Sequence, residues 1–140
     1  MSDYTGDLDT QVHYYDRMKY ITSRRHVYQT NIRPKEDIFT KFASLLTCGV
    51  LILEEWYAWN GANIVVDRPS NLRASLIHDA LVTLIQQGKL DPKFKTAVDQ
   101  EYYDACREDG MWLVPAITEF FGVQFHSWER TPTGKEKVAP

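Results

Sequence analysis

Arg73-Ala74-Ser75-Leu76-Ile77-His78-Asp79-Ala80-Leu81 is an apolar segment with a histidine and an aspartate side by side near its centre. Apolar residues recur three and four apart around it, at Leu72, Leu76, Ile77, Ala80, Leu81, Leu84 and Ile85. This spacing predicts a helix from about Ser70 to Gln87. Burying a charge costs several kcal/mol unless it is paired or neutralised. The helix therefore demands polar partners, and the sequence offers Asn60 before it and Asp99 after it.

Toward the N-terminus, Gly61 and Asn63 interrupt the pattern after Trp59, and Asp67-Arg68-Pro69-Ser70 supplies helix start signals. Val12–Ile21 and His26–Ile32 interleave Tyr, Val and Ile with polar residues, which suits strands. Ile38–Leu46 and Val50–Tyr57 flank Thr47-Cys48-Gly49 as a hairpin with glycine at its turn. Beyond the central helix, Gly88 is a stop. Asp91 before Pro92 caps a second helix running to about Glu108, and Gly110 ends it. Met111–Phe121 reads as a third helix, and Glu108-Asp109 as a solvated helix end. The expected fold is α+β: a small antiparallel sheet from the N-terminal half, packed by a C-terminal helical hairpin plus a third helix. Residues 1–10 read as a mobile arm, 11–122 as a single domain, and 123–140 as a polar tail that is loose from Thr131 on.

The 140 residues are one domain's worth, and 44% hydrophobic with 25% charged residues matches a globular chain. No apolar run approaches the roughly 20 residues of a membrane span, and no charged-then-apolar leader opens the chain, so an intracellular protein is expected. Cys48 and Cys106 are too few for a zinc motif or a disulfide framework. A net charge of −3 argues against general nucleic-acid binding.

On the helix, Asn71, Ser75, His78, Asp79 and Val82 fall along one stripe. A short connection to an antiparallel second helix brings the His78 level opposite its first half, so Asp99 is the carboxylate expected to meet His78 or Arg73. Three readings stay open. Asn60, Arg73, His78, Asp79 and Asp99 form a buried polar knot tying sheet to helices; or His78 is a general base with Asp79 or Asp99 as orienter; or Asp79, Asp99 and Asn60 hold calcium or magnesium. Trp56, Tyr57 and Trp59 form an aromatic sheet edge, packed under helices or serving as an interaction surface. Ser75 lacks the context of a nucleophile elbow.

Tyr57-Ala58-Trp59-Asn60-Gly61-Ala62-Asn63, the Arg73–Leu81 segment, Asp99 and Cys106-Arg107-Glu108-Asp109-Gly110-Met111 together resemble an uncharacterised domain family encoded by tailed bacteriophages and prophages. The resemblance covers about residues 26 to 122. Asn60 stands where the family has aspartate, and Val82 where it has tyrosine. An amide cannot act as a base, though its carbonyl can still ligate a cation. The helix carrying His78-Asp79 and facing Asp99 also resembles the calcium-dependent secreted phospholipases A2, whose cysteine framework is absent here.

The resemblance implies a phage virion or assembly component, in the virion or the host cytoplasm. Its partners would be other phage proteins or further copies of itself, without nucleic acid or a membrane span. Apart from the calcium or magnesium of the third reading, no cofactor is expected. The alternative is a His/Asp hydrolase, metal-assisted or not, acting on a host envelope component.

Overall fold

The computed structural model describes residues 3–16, 20–59, 69–111 and 136–140. The architecture is α+β: among the described residues seven strands precede a helical hairpin and one follows it. Among the described residues the strands form two four-stranded antiparallel sheets. The first contains β1 (Val12–Asp16), β2 (Tyr20–Thr22), β7 (Ala58–Trp59) and β8 (Glu136–Ala139), in the order β7-β2-β1-β8. The second contains β3 (His26–Gln29), β4 (Ile38–Phe39), β5 (Ala43–Leu45) and β6 (Val50–Leu53), in the order β3-β6-β5-β4.

The segment expected as one strand over 12–21 is instead a hairpin, with Tyr14 opposite Thr22 and Asp16 opposite Tyr20. Alternation of side chains alone does not distinguish one strand from two that fold back on each other. The β5–β6 hairpin turns as expected at Gly49, whose φ is +91°. A Cβ there would lie 2.8 and 2.9 Å from the carbonyl oxygens of Thr30 and Ile32, so only glycine fits.

The tail expected to be loose is corrected at its end. Glu136–Ala139 pairs antiparallel with β1, from Val12 opposite Ala139 to Tyr15 opposite Glu136. Ala139 is buried, and Gln11 Nε2 donates to the Pro140 carbonyl at 2.7 Å. Backbone pairing to a neighbouring strand needs little side-chain hydrophobicity, so a polar sequence did not announce it. The arm is corrected at Asp9. Its N–H donates to the Val27 carbonyl at 3.0 Å, and its Oδ2 accepts from the Val27 N–H at 2.8 Å.

Helix α1 (Pro69–Gln86) is buried at every residue from Asn71 to Leu81. It packs against α2 (Lys95–Glu108), β7 and β8, which explains why its apolar positions are not confined to one face. Both helices end alike. Lys89 N–H reaches the Leu84 carbonyl with Gly88 at φ +73°, and Met111 N–H reaches Cys106 with Gly110 at φ +96°. Asp91 caps the start of the second helical segment by accepting from the Lys93 N–H, and a single 3-10 turn (Pro92–Phe94) leads into α2. The helix expected over 111–121 lies outside the described residues beyond Met111.

Candidate functional site

The antiparallel hairpin sets His78 of α1 opposite Asp99 of α2. His78 Nε2 and Asp99 Oδ1 are 2.6 Å apart, and Lys95 Nζ, one turn before Asp99, donates to the same oxygen at 2.6 Å. Burial, the largest influence on His78, lowers its pKa despite the neighbouring carboxylate. Burial also pulls the Asp99 carboxyl upward, but the bonds from His78 and Lys95 outweigh it and hold the pKa below the usual range. An ionised carboxylate only accepts, so the neutral imidazole carries its proton on Nε2 and donates it to Asp99. The His78 and Tyr102 rings pack edge to face, 5.8 Å between centroids at 80°.

Asp79 turns to a different neighbour. Its Oδ2 accepts from the Tyr57 hydroxyl at 2.6 Å, and both residues are buried. One turn earlier, Ser75 Oγ accepts from Trp59 Nε1 at 2.8 Å and donates to the Leu72 carbonyl at 2.6 Å. These bonds tie α1 to β7 and the turn before it.

Arg73 forms a third group. Its Nε and Nη2 take both oxygens of Asp109 at 3.0 and 2.8 Å, and Nη2 also reaches Glu108 at 2.8 Å. Nη1 donates to the Asp9 carbonyl at 3.3 Å, and the guanidinium lies 5.2 Å from the Tyr28 ring centroid. The Arg73 and Asp109 side chains are 1% and 3% exposed. The expectation of a solvated end at Glu108-Asp109 is therefore corrected for Asp109. Burial would lower the Arg73 pKa, but the carboxylate bonds raise it, so the cation persists. Burial raises the Asp109 pKa even against the Arg73 bonds.

The expected polar knot is thus divided. His78 meets Asp99, Asp79 meets Tyr57, and Arg73 meets Asp109 with Glu108. Asn60 lies outside the described residues. Among them, no group of three or more His, Cys, Asp or Glu side chains is placed to hold a metal ion. The interaction surface expected at Trp56, Tyr57 and Trp59 is corrected for the last two. Trp59 is completely buried against Tyr14 and Tyr20, and Tyr57 is spent on Asp79, leaving Trp56 exposed.

Two buried polar groups had no sequence signal of their own. Glu101, on α2, accepts from the Asn31 N–H at 2.6 Å, and burial raises its pKa. His26 is 1% exposed, with Nδ1 4.0 Å from Asp9 Oδ2. Its pKa is lowered to about 4, chiefly by burial and then by the Arg73 charge.

Comparison with protein-family models, curated proteins and solved structures finds no match to this chain. His78 and Asp79 are each 1% exposed, and a general base must come within hydrogen-bond reach of the proton it takes.

Proposed function

We propose that this chain is a non-enzymatic assembly component of a tailed bacteriophage, in which α1 serves as the polar-bonded axle of the fold. The observation that carries the non-enzymatic part is closure: His78 and Asp79 are buried and spent on Asp99 and Tyr57. Buried polar bonds of this kind favour one packing of sheets on helices. The phage context rests on the resemblance of the Tyr57–Met111 motifs. Mass spectrometry of gradient-purified particles from the phage or prophage encoding the chain should find it at stoichiometric copy number. Its absence from particles would overturn the assembly role.

The 2.6 Å His78–Asp99 pair favours a second reading, a hydrolase of an envelope component with His78 as base and Asp99 as orienter. That activity requires α1 and α2 to part and admit substrate. Cell-envelope material cleaved by the parent protein and left intact by His78→Gln would establish it in place of the first.

A further inference from the structure

A cavity of about 390 Å³ opens between the β4–β5 turn, the β6–β7 turn and the C-terminal half of α1. Its size falls within the range of small-molecule sites. Its lining includes a buried alanine from each of three elements: Ala43 from β5, Ala58 from β7 and Ala80 from α1. Larger side chains at these positions would close it, as they close the rest of the core.

Its mouth is aromatic. Phe42 is half-buried on one side, and Trp56 stands 45% exposed on another. Trp56 has φ +74°, the one non-glycine residue in the left-handed region among those described. A bulky L-residue avoids this conformation, and it persists only where the surroundings over-determine it. Here the Trp56 N–H is fixed to the Thr22 carbonyl at 2.9 Å. The indole is thereby directed to the cavity rim instead of into the core, where burial would reward it.

One charged side chain among the described residues lines the cavity, Lys41, with its ammonium 5.2 Å from the Phe42 ring centroid. A cavity with an aromatic mouth and a single cation among its lining is complementary to a flat ring bearing one negative charge. We propose that this cavity binds a small aromatic carboxylate, its ring between Phe42 and Trp56 over the alanine floor and its anion at Lys41.

Heteronuclear NMR titration with indole-3-acetate tests this, with neutral indole as the control. The parent should bind indole-3-acetate at millimolar or lower concentration, with shifts centred on Ala43, Ala58 and Ala80. Trp56→Gly keeps the left-handed backbone without its steric cost, so the variant should fold and lose binding of both probes. Ala80→Leu should fill the cavity with the same result. Lys41→Met, at an exposed site, should weaken indole-3-acetate by about fivefold and leave indole unchanged. No binding by the parent, or undiminished binding by folded Trp56→Gly, would overturn the site. Equal weakening of both probes in Lys41→Met would overturn the assignment of the anion.

Discussion

His78 and Asp99, 21 positions apart, join Nε2 to Oδ1 at 2.6 Å across the helical hairpin, and Lys95 shares the same carboxylate oxygen. The three do not contribute equally. His78 is buried, whereas Lys95 is half exposed. Asp99→Ala takes the acceptor from the N–H of a buried imidazole, at a cost of about 1–3 kcal/mol. Lys95→Met removes a surface ion pair and should cost well under 1 kcal/mol. Urea unfolding of the two variants should show this order.

The Tyr57–Asp79 bond should be worth more than its exposed counterparts. Asp79 is 1% exposed, and Tyr57→Phe takes a donor from a buried carboxylate. We expect a loss of about 2–3 kcal/mol. Asp79→Asn keeps the shape and an acceptor, so it should cost less. A double-mutant cycle combining the two changes should return a coupling energy above roughly 0.5 kcal/mol. Strict additivity would show that the hydroxyl and carboxylate do not depend on each other.

Arg73 and Asp109 form a two-pronged pair with both side chains at most 3% exposed. Breaking such a pair from one side leaves an uncompensated buried charge, costing about 3–5 kcal/mol. Arg73→Lys should recover little, because an ammonium cannot present two parallel donors to one carboxylate. A melting temperature for Arg73→Lys near that of the parent would contradict the bidentate geometry.

The hairpin itself was legible in the sequence. Period-3.6 spacing, Asp91-Pro92 and the two stop glycines mark its ends, and its antiparallel sense alone places 78 opposite 99. That same sense carries Arg73, near the start of α1, toward the end of α2. Asp109 was readable in principle, but a charged residue beside a terminal glycine has the composition of a solvated end. The partition of neighbours His78 and Asp79 was not legible. Successive helical residues point about 100° apart, and which element waits on each side depends on the sheet arrangement. Nor was β8, since strand pairing is written in backbone groups that every residue carries.

Stability should fall on mild acidification because of His26. Its folded-state pKa, lowered to about 4, lies below the ordinary histidine value of 6.5. Between those values the unfolded chain binds the proton and the folded chain does not, so stability is full above pH ~6.5 and declines toward pH ~4. Integrated over that window, the loss is on the order of 3 kcal/mol. The lowered His78 pKa acts with the same sign. His26→Leu should flatten the slope of unfolding free energy against pH. An unchanged slope would assign the acid sensitivity to other groups.

The two ends of the chain should respond differently to trimming. Asp3–Leu8 carries no regular structure, and Leu8 is 49% exposed, so removal of residues 1–8 should leave the melting temperature within a degree or two. Removing Asp9 and Thr10 as well deletes the Asp9 bonds to both backbone groups of Val27 and to Arg73. That larger deletion should cost about 2 kcal/mol or more. Removal of residues 136–140 strips β8 from the edge of β1, exposes buried Val12 and deletes the acceptor of Gln11. The lost strand pairing and apolar cover should lower the melting temperature by more than ten degrees or so, at a few degrees per kcal/mol for a chain of this size. Differential scanning calorimetry on the three truncations gives the comparison directly. Equal melting temperatures for the parent and the chain lacking 136–140 would show that β8 adds nothing to the sheet in solution.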